Sequence, residues 1–342
     1  MFRKQAVKKI FLGALFVSLS TFLFVGFLIV YISNHSREAG GTVELKVDRG
    51  EPFSPVVQRL KEKGVITNER LFTFWARMWS LDKRVHWGLY RFELPMAPRK
   101  VLDQMVLGRG VFHRITVPEG LTQKDVAQLL EKAGLADGEK FLKEAHNPAV
   151  LSRLGIKAKR VEGYLFPDTY YFPASANEQD ILIAMVEHFN ESFTPLMEEQ
   201  TSALGLEKHE VVTLASLVEK EVGLEAERPI VSAVFHNRLR GRIPLQSDPT
   251  VIYGLKKFTG NLTRKDLRRP SPYNTYLIPG LPPGPICNPG LSSLQAALLP
   301  AEVSYLYFVS KNDGTHFFSK TIREHNRAVN QYQRSRRRFT GR

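Results

Sequence analysis

Beyond residue 155 the chain gathers polar and aromatic residues into four clusters, set in loops rich in proline and glycine between helical segments. Loops held by a rigid scaffold are where chemistry concentrates. The first cluster runs from Glu162, Gly163 and Tyr164 through Leu165, Phe166 and Pro167 to Asp168, Thr169 and Tyr170. The second contains Ala215, Ser216, Leu217, Val218, Glu219, Lys220 and Glu221; the third contains Leu245, Gln246, Ser247, Asp248, Pro249 and Thr250. The fourth begins Tyr273, Asn274, Thr275, Tyr276 and continues into Gly280, Leu281, Pro282, Pro283 and Gly284.

The second cluster lies on a predicted helix whose Val211, Leu214, Ala215 and Val218 follow the i, i+3, i+4, i+7 spacing of a buried face. Glu219 follows directly on that face. A carboxyl bordering apolar surface has its charged form desolvated, which raises its pKa towards the range where it can protonate a glycosidic oxygen near neutrality. Glu221 lies about 200° further round a regular helix, so the two carboxylates cannot share one cleft. On this reading Glu219 is the candidate acid and Glu221 a surface charge; the plainer alternative makes Glu219 a boundary residue in a salt bridge.

Other chemistries lack their residues. His236, His316 and His325 are scattered and form no His-Glu-x-x-His arrangement for zinc. No Gly-x-Ser-x-Gly elbow is present. The loop from Gly280 to Gly290 carries Pro282, Pro283, Pro285 and Pro289, which remove the N–H groups a phosphate cradle needs, so it reads as the wall of a groove. Cys287 is the single cysteine, which excludes an intrachain disulfide and a multi-cysteine metal site. No metal and no cofactor are expected.

The elements that must position these residues are organised by composition. The 342 residues, 43% hydrophobic and 24% charged, suit about two folded domains with accessories. A net charge of +14 points to an anionic partner. Without zinc-finger, RNP-like or Walker signatures, nucleic acid is not expected, and phospholipid head groups and the acidic cell wall fit the charge as well. Residues 10–32 contain no charge and no proline, enough for a helix to span about 35 Å of hydrocarbon. Arg3, Lys4, Lys8 and Lys9 precede it, which predicts a cytoplasmic N-terminus, residues 1–9, and an outward-facing remainder. Residues 333–342 read as a basic, solvated tail.

Two stretches share one template seventy positions apart: Val47 and Val117, Gly50 and Gly120, Val56 and Val126, Leu60 and Leu130, Gly64 and Gly134. Each predicts a strand, a glycine turn, an amphipathic helix and a glycine stop. The first copy is too short to bury a core alone and is expected to pair with residues 80–113, including Trp87, Tyr90 and Phe92.

The four clusters, in this order, resemble the endolytic murein transglycosylase family, also called the YceG-like or MltG family. The resemblance runs from the apolar segment to about Tyr332. It implies an α+β protein: one transmembrane helix, a LysM-like module (residues 43–113) and a mixed α+β catalytic domain (residues 114–332). It also implies a periplasmic catalytic domain on a single-pass inner-membrane anchor. Glu219 corresponds to the family's catalytic glutamate on this alignment. The implied activity is a lyase that cleaves the MurNAc–GlcNAc bond of glycan strands without water, leaving 1,6-anhydro ends and terminating nascent strands beside the peptidoglycan synthases. One carboxyl suffices as acid and then base, because the substrate's own 6-hydroxyl is the nucleophile. By chemical type, Gln246 and Asn274 suit hydrogen bonds to acetamido groups, and Tyr164, Tyr273 and Tyr276 suit stacking on sugars. Glu162, Asp168 and Asp248 complete the candidate contacts. Two alternatives are a hydrolytic muramidase, with Asp248 or Asp168 positioning a water, and a non-catalytic wall-binding scaffold.

Overall fold

The computed structural model describes residues 19–34, 41–48, 50–108, 110, 112–173 and 176–334. The fold is mixed α+β, with three two-stranded sheets among the described residues. Residues 19–33 are helical. Among the described residues no helix is long and apolar enough to cross a membrane. The segment predicted to span, residues 10–32, lies partly outside the described residues, as do residues 1–9 and most of the basic tail.

Two compact units are present, one ending at Arg114 and including residues 171–176, the other comprising Ile115–Tyr170 and the chain from Asn177 onward. The first contains strand β1 (Gly41–Val47), helices α1 (Phe53–Glu62) and α2 (Glu69–Met78), strand β2 (Gly88–Leu94) and helix α3 (Pro98–Val106). β1 and β2 pair antiparallel, from Gly41 opposite Leu94 to Val47 opposite Gly88. Residues of β2 alternate between core and solvent, so Tyr90 and Phe92 bury on the face that meets α1 and α3 residues such as Leu60 and Leu102. The expected pairing of the first repeat copy with residues 80–113 is present in this sheet.

The second copy supplies strand β3 (Phe112–Thr116) and helix α4 (Gln123–Lys132), and β3 pairs with strand β4 (Thr169–Pro173). The template has a physical basis in both copies. Val56, Leu60, Val126 and Leu130 are buried, and Gly50, Gly64, Gly120 and Gly134 all have φ between 67° and 77°, which a side chain would strain. Both helices stop in the same way. The Val65 N–H donates to Leu60 O and Gly64 N–H to Lys61 O, while Leu135 N–H donates to Leu130 O and Gly134 N–H to Glu131 O.

The rest of the second unit is built around helix α6 (Lys208–Glu221), which follows helix α5 (Glu178–Ser192). The sequence predicted one buried face, but every residue from Val211 to Val218 is buried. Helices α7 (Arg228–Arg240) and α9 (Leu291–Leu298) pack against it, with α8 (Asp248–Gly254) between them in sequence. The polar members of the buried run are satisfied locally: Thr213 donates to His209 O (2.7 Å), and Ser216 donates to Thr213 O and accepts from Ile286 N–H. The chain ends this unit in strands β5 (Tyr307–Ser310) and β6 (His316–Ser319) and helix α10 (Ile322–Val329).

Asn288 ties the first cluster, the second repeat and the proline loop together. Its Oδ1 accepts from Gly163 N–H (2.8 Å) and Leu165 N–H (3.0 Å), and its Nδ2 donates to Leu121 O (2.9 Å). Its backbone exchanges bonds with Gly120 and Leu121. Gly163 must be glycine here, since φ is 89° and a Cβ would collide with Pro285 and Val212. Replacing Asn288 with Ala leaves the buried Gly163 and Leu165 amides without an acceptor, at about 1–3 kcal/mol each. The Asn288→Ala protein is expected to unfold at a markedly lower denaturant midpoint, whereas an Asn261→Ala control, at an exposed bend, changes it little.

Candidate active site

The two glutamates at the end of α6 diverge as helix geometry requires, and each meets a different environment. Glu219 accepts the Gly290 N–H at Oε2 (3.1 Å) and pairs through Oε1 with Arg228 Nη2 (3.3 Å). Its side chain is 7% exposed. Gly290 caps α9 and Arg228 begins α7, so Glu219 joins the end of one helix to the starts of two others. A carboxylate at a helix N-terminus answers both the free N–H groups and the dipole. Arg228 Nη2 is shared with Glu119 (3.4 Å), whose carboxyl is raised above its ordinary pKa by burial and by Glu219. Glu119 also lies so close to Gly290 that a Cβ there would collide with it.

Glu221 is not the surface charge expected from the helix angle. It reaches a cavity of about 260 Å³, where Ser247 Oγ–H donates to its Oε1 (2.6 Å). Burial, with a smaller contribution from Asp248, raises its pKa to about 7 against the opposing Ser247 bond. The helix angle was read correctly, but α8 and the third cluster cover the side that the sequence left open. With Oε1 held by Ser247, Oε2 is the oxygen left to carry and deliver a proton.

The cavity joins the third and fourth clusters. Tyr276 O–H donates to Asp248 Oδ1 (2.7 Å), and Gln246 Oε1 accepts from Arg238 Nη2 (2.6 Å). Arg238 is buried and also donates to Pro244 O (3.0 Å) and Leu306 O (3.1 Å), with its guanidinium over the Tyr307 ring. A guanidinium can only donate, so it pins the amide oxygen of Gln246 and leaves Nε2 as a donor. Gln246 has φ of 53°, an uncommon conformation for a residue with a side chain, and its N–H is held by Thr275 O. Phe235, Leu245 and Phe308 supply the apolar wall that desolvates Glu221. His325 lines the same cavity, stacked on Tyr307, and burial followed by Arg238 lowers its pKa, which favours the neutral ring.

Gln246, Asp248 and Tyr276, named from sequence, therefore meet at Glu221, and the others lie elsewhere. Glu162 is buried and accepts from Gln123 N–H (2.8 Å) and Tyr253 O–H (2.9 Å). Burial raises its pKa to about 7. Tyr164 bonds His209 Nδ1 at the opposite end of α6, and Asp168 pairs with His188 and caps its own turn. Tyr273 packs its ring on Tyr253. Asn274 is fully buried: Nδ2 donates to Leu267 O and Arg269 O, and Oδ1 accepts from Tyr276 N–H. Sequence reasoning missed Ser247, Arg238 and His325 as site residues. Only Ser247 carried a signal, by lying between Gln246 and Asp248. Among the described residues no cluster of three or more His, Cys, Asp or Glu is placed to hold a metal.

Comparison with known proteins places this geometry in context. The profile of the YceG-like family matches residues 45–331. The endolytic murein transglycosylase of Bacillus subtilis (strain 168) is 35% identical over 312 residues, covering 86% of each chain. That of Streptococcus pneumoniae (serotype 2, strain D39) is 27% identical over 326 residues, covering 86% of this chain and 59% of its own. A crystal structure of a YceG-like protein from Listeria monocytogenes superimposes with a TM-score of 0.59 at 30% identity, over 84% of this chain and 98% of that one.

Glu162 provides a test of the buried carboxyls. Its folded pKa of about 7 lies above its ordinary value of 4.5, so the folded chain holds the proton more tightly. The stability this contributes is full below the ordinary value and lost as pH rises through the folded one. Denaturant midpoints measured at pH 5 and pH 8 should fall further for the wild type than for Glu162→Gln, which stays neutral throughout. Parallel falls would mean that Glu162 is ionised in the folded protein across this range.

Proposed function

This chain belongs to the YceG-like family, and from that premise we propose that it is an endolytic murein transglycosylase. In this reading it cleaves the MurNAc–GlcNAc bond of peptidoglycan strands without water, with Glu221 rather than Glu219 carrying the proton. The observation that carries the choice is the pair of environments. Glu221 has a pKa of about 7 in a cavity shared with Gln246, Asp248 and Tyr276. Glu219 instead has both oxygens occupied, one by Arg228 and the other by the Gly290 N–H.

Glu221 Oε2–H protonates the oxygen that leaves C1 of N-acetylmuramic acid as the C1–O bond breaks. The resulting carboxylate then takes the proton of the same sugar's 6-hydroxyl, whose oxygen closes on C1. Atoms balance, the glutamic acid is regenerated, and the new end is a 1,6-anhydro sugar. An attached nucleophile removes the need for a bound water or an enzyme nucleophile. Gln246 Nε2 suits the carbonyl of an acetamido group and Tyr276 a sugar face. Asp248, adjoining Glu221 and partly engaged by Tyr276, supports oxocarbenium-like charge. No cofactor enters the scheme.

The finer assignments rest on sequence. Residues 43–113 act as a LysM-like module that adds glycan affinity without chemistry. Residues 10–32 anchor the chain in the inner membrane with the catalytic part outside, in the periplasm, beside lipid and peptidoglycan synthases. A reporter fused after Arg342 and active only in the cytoplasm would contradict that orientation.

Glu221→Gln keeps shape but removes the transferable proton, so turnover should drop by at least about a hundredfold with the fold retained. Glu219→Gln should lose stability while keeping turnover within about tenfold of wild type. Wild-type kcat/KM should decline above about pH 7, as Glu221 loses the proton it must donate. The readouts are circular dichroism and anhydro ends counted by mass spectrometry on purified strands. A folded Glu221→Gln protein with near wild-type turnover would return the role to Glu219, and products one water heavier would make the enzyme a muramidase.

A further inference from the structure

A second feature of the catalytic unit belongs to none of the groups that hold the reacting bond. Between residues 256 and 269 lie six cations, Lys256, Lys257, Arg264, Lys265, Arg268 and Arg269, all exposed, with Asp266 the single acidic residue among them. The carboxylate of Asp266 is already engaged by Thr263, whose N–H and hydroxyl both donate to it in a capping box. None of the six cations has an ion-pair partner among the described residues. Arg264, Lys265, Arg268 and Arg269 surround a surface hollow of about 640 Å³. Like charges held this close repel one another, and a ligand of opposite charge relieves that repulsion.

The patch is fixed relative to the cavity. Asn274 Nδ2 donates to the carbonyls of Leu267 (3.0 Å) and Arg269 (2.9 Å), and its Oδ1 accepts the Tyr276 N–H (3.0 Å). Tyr276 then reaches Asp248 beside Glu221. Two residues of backbone span at most about 7 Å, so the buried Asn274 links the arginine turn by a short stretch of chain to Tyr276, which lines the cavity. This explains why Asn274, expected from sequence to touch substrate, is instead enclosed by backbone.

We propose that this basic edge binds the carboxylates of the acidic peptide stems that project from a glycan strand lying in the Glu221 cavity, so that the enzyme favours stem-bearing strands over bare glycan. The inference rests on the peptidoglycan reading above. In a stem-bearing strand each lactyl carboxyl is tied up in the amide to its stem, so the sugars carry no charge and the free carboxylates along the strand are those of the peptide stems. Fork-shaped guanidinium groups match carboxylates in two-point contacts, and three of the four residues lining the hollow with positive charge are arginines.

The test compares full-length wild type with Arg264→Gln/Arg268→Gln/Arg269→Gln on two substrates: purified uncrosslinked strands with their stems, and the same strands stripped of stems by an amidase and then capped as neutral amides at the lactyl carboxylates that the amidase frees. These changes leave the backbone carbonyls that Asn274 binds in place. Wild type should favour stem-bearing strands by about fivefold or more in kcat/KM, since three exposed charge pairs each contribute modestly. The variant should lose that preference through a higher KM on stem-bearing strands, with kcat unchanged and bare strands cut as before. Raising salt to about 0.5 M should reduce the wild-type preference in the same direction.

A variant that keeps the preference, or that loses activity equally on both strands, overturns the proposal. So does a variant whose sole defect is weaker binding to phosphatidylglycerol vesicles, which would assign the patch to a lipid surface. If neither strand is cut by wild type, the functional reading fails instead. Cosedimentation of both proteins with the two strands then still decides whether the patch recognises stems.

Discussion

The arrangement of the catalytic unit depends on the burial of α6. A helix with Val211 to Val218 all enclosed has no surface of its own, so its neighbours must close round it and its polar groups must be satisfied within the core. Ser216 shows how this is done: it bonds inside its own helix and also accepts the Ile286 N–H, fastening the proline-rich loop along the helix. Asn288, two residues further on, extends the same fastening to the first cluster and to the second repeat. The loop that looked like a groove wall in sequence is therefore a strap held by the core. Its prolines limit the number of amide groups that need partners there.

The end of such a helix is a defined place to set two carboxyls at opposite fates. Glu219 and Glu221 are two residues apart, far enough round the helix that one turns to the start of α9 and the other to the cavity. The same helix thus holds one glutamate tied to an arginine and a backbone donor, and another whose pKa burial raises to about 7. Glu162, raised to a similar degree, accepts on both oxygens from Gln123 N–H and Tyr253 O–H.

Orientation of the cavity groups comes from residues that do not face a substrate. Arg238 donates from each of its three nitrogens, to two carbonyls and to the Gln246 amide, which fixes its guanidinium in place. That leaves Gln246 presenting an N–H2 group from a left-handed backbone position, a local conformation that costs free energy and persists because neighbours over-determine it. Ser247 acts likewise on Glu221. Rigid positioning of this kind is what allows one proton carrier to serve both halves of an intramolecular displacement.

The amino-acid order alone carries the repeat, the helix that holds both glutamates and the angle between them. Each follows from local periodicity: glycines recur where positive φ is needed, and apolar residues recur at the spacing of a helix face. It also drew Gln246, Asp248 and Tyr276 into one candidate set. Only the tertiary structure decided which carboxyl meets a cavity. Burial of a side chain at a helix end depends on which segment crosses it, and the third cluster that covers Glu221 lies about 25 residues downstream, joined by Ser247 across a separation of 26. Asn274 went the other way for the same reason. Its amide looks identical in sequence whether it faces a sugar or backbone carbonyls, and it was the folding of the arginine turn onto it that chose the carbonyls.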